Sequence, residues 1–244
     1  MIVLDKRTTI KNVASTVAIL KDNQISYKII HTRFVNISHA RNWGLNYGNA
    51  KYHLFLDDDI MLSPDFFDEL FKLKIYSTTL CIPQFLEYID ANELYDKTKT
   101  WETLDKELIR VDPYYKNVSE VLDNKAYNSI KWVACIGRCI ILVTPNADKT
   151  ISMFDEDFRG WGVEDIEFAY RNYKQGVKLI KIPASCLHLC HRIAVSHIAD
   201  LSKNLLRFEE KYSDEFDPIA YRLFTFGKLS LSSWIKINQI LKEQ

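Results

Sequence analysis

The sequence predicts an α/β fold built on a mostly parallel sheet, and three observations predict it. Short apolar runs alternate with helix-spaced segments from the start of the chain to about residue 85. The links between them are short, as a doubly wound arrangement with helices on both faces requires. Acidic residues stand at the C-terminal ends of two apolar runs, the edge of such a sheet where ligands bind.

Met1-Ile2-Val3-Leu4-Asp5 reads as a buried strand ended by an acid. Thr9 to Asp22 has helical spacing through Ile10, Val13, Val17 and Leu20, and Ser26 to Ile30 returns to strand character. Ser38 is placed to cap a helix running to about Tyr47, with Gly48 and Asn49 able to end it. Tyr52 to Leu56 is then a strand that delivers Asp57-Asp58-Asp59 at its end. Pro64 to Lys74 reads as a helix and Thr78 to Phe85 as a strand. From Tyr88 to Lys125 the pattern is mixed and charged and specifies no element. Ser129 to Val143 is apolar with Gly137 inside it, which predicts a strand pair or a bulged strand. Glu164 to Lys174 is an amphipathic helix with Ile166, Ala169, Tyr170 and Tyr173 on one face. Lys178 to Ile182 reads as a strand stopped by Pro183. Helical patterns follow from His197 to about Tyr212 and from Leu229 to Lys242, with Trp234 read as a core residue of the last one.

The chain has 244 residues, 47% of them hydrophobic, enough for a sizeable core. Its 32 basic residues balance 32 acidic ones, which argues against general nucleic-acid binding. No apolar run is long enough to span a bilayer, and the first residues do not read as a signal peptide. The five cysteines are therefore expected as reduced thiols in a cytoplasmic protein.

Two acidic clusters carry the chemistry. Three successive carboxylates at Asp57, Asp58 and Asp59 repel one another, and a hard divalent cation, Mn²⁺ or Mg²⁺, is a natural reason to keep them together. In an extended segment Asp57 and Asp59 point to one side, so Asp59 is expected to ligate the metal directly. Asp57 is expected at the ribose or at a water on the metal. The second cluster, Phe158-Arg159-Gly160-Trp161-Gly162-Val163-Glu164-Asp165, joins a flat aromatic and two glycines to two carboxylates, which suits sugar stacking and base catalysis. Taken alone, Glu164 and Asp165 read as a charged first helical turn that complements the helix dipole, and the glycines that set Trp161 at the surface are what open the functional alternative. Cys186-Leu187-His188-Leu189-Cys190-His191, with Cys135 and Cys139, invites a zinc reading, but the spacings do not match the usual ligand pairs.

Ile2 to Asp5, His39-Ala40-Arg41-Asn42-Trp43-Gly44 and Phe55 to Asp59 together resemble the nucleotide-binding half of GT-A-fold, family-2-type glycosyltransferases. Met153 to Arg171 is similar to the C-terminal module of the β1,4-galactosyltransferase and chondroitin-polymerase families. The resemblance spans residues 1–192, with a nucleotide part at about 1–85, an acceptor and catalytic part at about 129–192, and a helical extension at 193–244. It implies an inverting, metal-dependent enzyme that moves a hexose or N-acetylhexosamine from a UDP-sugar to a glycan acceptor in surface polysaccharide synthesis. It also implies residue roles. Asp5, Arg41, Asp57 and Asp58 would contact the nucleotide, and Asp59, Asp57 and His188 the metal, with His191 as the other candidate histidine. Trp161, Gly162 and Glu164 would bind the acceptor, and Asp165 would be the catalytic base. The chain departs from the pattern in opening on what is usually the second strand, so a first βα unit and part of the uracil pocket are expected to be missing. That departure motivates an alternative function, a catalytically inactive glycan-binding or scaffolding module. The expected location is cytoplasmic, without a transmembrane segment, and with peripheral association at the inner membrane face left open.

Overall fold

The computed structural model of the chain describes residues 2–4, 9–31, 36–47, 50–89, 100–145, 151–189 and 195–243. Strands β1 (Ile2–Leu4) and β2 (Ile29–His31) pair in parallel, with helix α1 (Ile10–Asp22) between them in the chain. They form a two-stranded sheet of their own among the described residues. Thr9 caps α1 by accepting a hydrogen bond from the Asn12 amide. Helix α2 (Ile37–Tyr47) follows, and here Ser38 is not the cap but a buried residue of the first turn. Asn36 takes the capping role, its side chain accepting from the Ser38 amide at 2.9 Å. Asn and Ser are equally good caps, so their order in the sequence does not distinguish them.

The remaining strands build one six-stranded sheet. They are β3 (Tyr52–Leu56), β4 (Ile60–Leu62), β5 (Thr79–Tyr88), β6 (Ile109–Val111), β7 (Cys139–Val143) and β8 (Lys178–Leu189). The order is β3-β7-β5-β8-β4, with β6 on the second half of β5. The expectation of a mostly parallel sheet is corrected. Only β5 and β8 pair in parallel there, so β3, β5 and β8 run one way and β4, β6 and β7 the other. The strand–helix alternation that implied parallel crossovers gives way after β5. The chain reaches β7 from a 3-10 segment, Lys125–Ala134, and inserts it antiparallel between β3 and β5. All five β7 residues are buried, as a central strand covered on both faces demands.

That 3-10 segment also replaces half of the strand pair expected over Ser129 to Val143. Ile130, Trp132, Val133 and Ala134 are buried in it, and a short buried apolar run does not by itself separate helix from strand. Pro183 does not stop β8 either. The β5–β8 register shifts between Ile82 and Gln84, where the partner advances from Lys181 to Ser185, so an irregularity absorbs the proline. Pro183 also lies before Cys186–His188, the stretch that pairs β4, so its missing N–H costs no bond on that side.

The other helices are α3 (Phe66–Lys72), α4 (Pro113–Val118), α5 (Glu120–Asp123), α6 (Glu164–Lys174), α7 (Val195–Lys211), α8 (Phe216–Thr225) and α9 (Leu231–Lys242). The sequence pattern gave no hint of α4, α5 or α8. Trp132 is the hub between the C-terminal helices and the sheet domain. Its ring lies 4.8 Å from Tyr170, 6.0 Å from Phe208, 5.5 Å from Tyr221 and 5.6 Å from Trp234. Trp234 is fully buried there, as its core reading requires. Trp132→Ala is expected to lower the unfolding free energy by about 3–5 kcal/mol. A urea titration followed by circular dichroism would read this as a lower midpoint. Among the described residues, no helix is long and apolar enough to cross a membrane.

The antiparallel insertion of β7 positions the site. Leu56 at the end of β3 is opposite Cys139 at the start of β7, so the residues after β3 and those before β7 share one edge of the sheet.

Candidate active site

At that edge Asp57 leaves β3, its amide donating to the Arg138 carbonyl at 3.2 Å. Residues 58 and 59 form a turn rather than an extended segment, and the Ile60 amide closes it on the Asp57 carbonyl at 3.3 Å. The turn sends the three carboxylates to different places. Asp57 meets Arg41, Asp58 is exposed, and Asp59 meets His188.

Arg41, on α2, is 7% exposed and joins three segments. Nη1 donates to Glu164 Oε1 at 2.9 Å, and Nη2 donates to Asp57 Oδ1 at 3.3 Å and to the Gly137 carbonyl at 3.0 Å. Burial would lower the Arg41 pKa, but Glu164, Asp57 and Asp165 together hold it above its ordinary value. The same guanidinium does not fully compensate its carboxylate partners. Burial raises the pKa of Asp57 against the opposing pull of Arg41, with Asp59 and Asp165 adding to the rise. Glu164 is pushed up to about 7 by burial and by the neighbouring Asp165. Its second oxygen, Oε2, is buried with no hydrogen-bond partner among the described residues.

Asp165 is half-buried and is raised by burial. Its Oδ1 accepts from the Ile166 amide at 2.8 Å and its Oδ2 from the Gly137 amide. A Cβ at Gly137 would lie 2.9 Å from Asp165 Oδ2 and 3.0 Å from Arg41 Nη2, so a side chain there would have to displace both groups. The apolar run around Gly137 had flagged this position as unusual, but not that its two backbone groups tie Arg41 to Asp165.

The loop before α6 is held in left-handed backbone. Gly160, Gly162 and Val163 have φ of 78°, 89° and 75°. Glycine is required at 160, where a side chain would collide with the Asp200 carboxylate of α7. Asn204, also on α7, donates through Nδ2 to the carbonyls of Arg159, Trp161 and Gly162 at 3.1, 3.4 and 2.8 Å. This presents Trp161 at the surface, 43% exposed. Nothing in the sequence pattern had pointed to Asn204.

A second docking contact was also missed. Asn42 donates to the Phe154 carbonyl at 2.8 Å and to Glu156 Oε1 at 2.9 Å, and accepts from the Phe154 amide at 2.7 Å. His39 lies 2.8 Å from Glu156 Oε2. The His39–Gly44 and Met153–Asp157 blocks therefore meet directly, and Arg41 continues the same seam toward Glu164.

The register of β4 on β8 brings the other pair together. Ile60 is opposite His188, and the Leu189 amide donates to the Asp59 carbonyl at 2.9 Å. His188 Nε2 then lies 3.3 Å from Asp59 Oδ2. Two ligands about 2.1 Å from one octahedral cation and on adjacent corners stand about 3 Å apart, so this oxygen and nitrogen fit a shared Mn²⁺ or Mg²⁺. Among the described residues these two side chains are not joined by a third His, Cys, Asp or Glu in a group able to hold a metal. Asp57 is on Arg41 rather than beside this pair. Asp5 and His191 lie outside the described residues. Cys135, Cys139 and Cys186 are buried free thiols, Cys186 hydrogen-bonded to Cys139, whereas Cys190 lies outside the described residues.

A guanidinium shared by carboxylates of the sheet edge and of a helix start, beside an Asp–His pair and an exposed indole, is an arrangement suited to sugar transfer. The class is that of a glycosyltransferase. The family model described as glycosyltransferase like family 2 matches residues 1–217, and the chain belongs to that family. No curated protein matches the sequence.

Proposed function

We propose that the chain is an inverting, metal-dependent glycosyltransferase of the β1,4-galactosyltransferase and chondroitin-polymerase type, moving a hexose or N-acetylhexosamine from a UDP-sugar to a glycan acceptor. The proposed setting is surface polysaccharide synthesis at the cytoplasmic side of the membrane. The observation that carries this reading is the convergence of Asp57, Arg41, Glu164 and Asp165 around Gly137, with Asp59 and His188 following directly in the chain and in register.

Asp59 and His188 would hold the cation, which when bound offsets the charge gathering on the departing diphosphate. Arg41 fixes Asp57 at the nucleotide side and Glu164 at the acceptor side. Glu164 Oε2 needs a hydrogen-bond partner, and a hydroxyl of an acceptor sugar stacked on Trp161 supplies one. Asp165 takes the proton of the attacking hydroxyl as its oxygen forms the bond to the anomeric carbon. The bond from that carbon to the diphosphate oxygen breaks on the opposite face, so the configuration inverts and no covalent enzyme intermediate forms. Asp165 is suited to the role because burial makes it a stronger base than a solvated aspartate.

Incubation with UDP-glucose, UDP-galactose and their N-acetyl forms is expected to release UDP only with Mn²⁺ or Mg²⁺ present. Asp59→Ala and His188→Ala should each reduce that release by about a hundredfold or more, since each removes a ligand of the charge-offsetting ion. Undiminished, metal-independent turnover in both variants would refute the metal assignment.

A further inference from the structure

The indole of Trp161 does not stand alone. The imidazole of His197, on α7, lies parallel to it, with ring centroids 5.4 Å apart and planes inclined by 6°. This is an offset stack in the favourable range for aromatic pairs. It covers one face of the indole, and Trp161 stays 43% exposed, so part of the residue remains open to a ligand. The backbone beneath is held by the same helix, because Asn204 binds three carbonyls of the loop and Asp200 lies against Gly160. Helix α7 thus fixes both the loop that carries Trp161 and the plane of its ring.

We propose that His197 is a positioning residue for the acceptor. By stacking on Trp161 it holds the indole as a preset, one-sided platform on which the apolar face of a pyranose ring lies, oriented toward Glu164 and Asp165. The idea rests on the acceptor role of Trp161 put forward above. A flat ring is what the position needs, so phenylalanine should substitute and alanine should not. His197 itself makes no contact with the reacting atoms. Its loss acts on acceptor binding, through a mobile indole, and leaves the donor half of the site unchanged.

The test uses the full chain and its His197→Ala, His197→Phe and Trp161→Phe variants. Tryptophan fluorescence is recorded while methyl glycosides of glucose, galactose and N-acetylglucosamine are titrated, and UDP release from the UDP-sugar panel is measured in parallel. Removing the imidazole is expected to change the emission assigned to Trp161 before any sugar is added. His197→Ala should weaken sugar binding by about three- to tenfold, the range an aromatic pair supplies. The same factor should appear in the acceptor KM, with kcat and donor hydrolysis nearly unchanged and with His197→Phe restoring wild-type values. Sugar binding by His197→Ala as tight as that of the wild type would overturn the role of His197 alone. If the wild type shows no Trp161-dependent sugar response, the acceptor reading of Trp161 falls, and this inference with it.

Discussion

Asp165→Asn is expected to lower kcat/KM for transfer by about a thousandfold, within the range that a positioned general base contributes. The substitution keeps the shape of the side chain and one oxygen to accept from Gly137 or Ile166, so the fold and donor binding should persist while the proton acceptor is lost. The pH dependence of the wild type makes the prediction sharper. Burial favours the protonated forms of both Glu164 and Asp165, so activity should rise as pH increases through a range above that of ordinary carboxylates, Glu164 titrating near 7. Stability should move the other way. The folded chain holds these protons at pH values where the unfolded chain has released them, so unfolding free energy should fall as pH rises from the ordinary carboxylate pKa toward about 7. For one proton the slope is at most about 1.4 kcal/mol per pH unit. Asp165→Asn removes the charge that ranks after burial in raising Glu164, so the window should shift downward in the variant. Denaturant melts at several pH values, beside the rate profile, check both signs. A variant that transfers sugar at the wild-type rate would remove Asp165 from the mechanism.

Arg41→Met is expected to cost about 3–5 kcal/mol of stability, because it leaves Glu164 and Asp57 without their buried counter-charge. In a chain of this size that corresponds to a drop in Tm of roughly 6–20 °C. The Gly137 carbonyl loses its donor as well. Arg41→Lys should recover only part of the loss, since one ammonium does not reproduce a planar fork that reaches Glu164, Asp57 and a carbonyl together. Calorimetry gives the Tm values, and a wild-type Tm in Arg41→Met would show that the cluster does not hold the fold. Activity should be lost in both variants, because Arg41 sets the position of carboxylates on both sides of the site.

Much of this was legible in the sequence where the physical signal is local. The helix from Ile10, the strand ending at Leu56 and the helix from Glu164 follow from periodicity and, in the last, the charge of the first turn. His188 is reached only through the family resemblance, since the strand read from the sequence stops at Pro183, and the structure sets it on β8 beside Asp59. What was not legible depends on partners distant in sequence. The direction of β7 is decided by the strands it enters between, not by its own apolar residues, and the sheet is mixed for that reason. Alternation put Asp57 and Asp59 on one side, whereas the turn at 58 and 59 separates them. Asn204 and His197 sit in an ordinary amphipathic pattern, and only the approach of α7 to the Trp161 loop gives them a task.

Helix α7 does two jobs with one rigid rod. Near its start it holds the Trp161 loop through His197 and Asn204, while Phe208 is set in the aromatic hub and Lys211, with Tyr212 just beyond, binds the fully buried Glu167 of α6. Freeing the loop through its α7 contacts would mean moving a helix whose far end is anchored in the core. Release of the Trp161 loop on that side is then expected to follow the stability of the helix rather than that of the loop alone. Heating is expected to release the Trp161 loop together with α7.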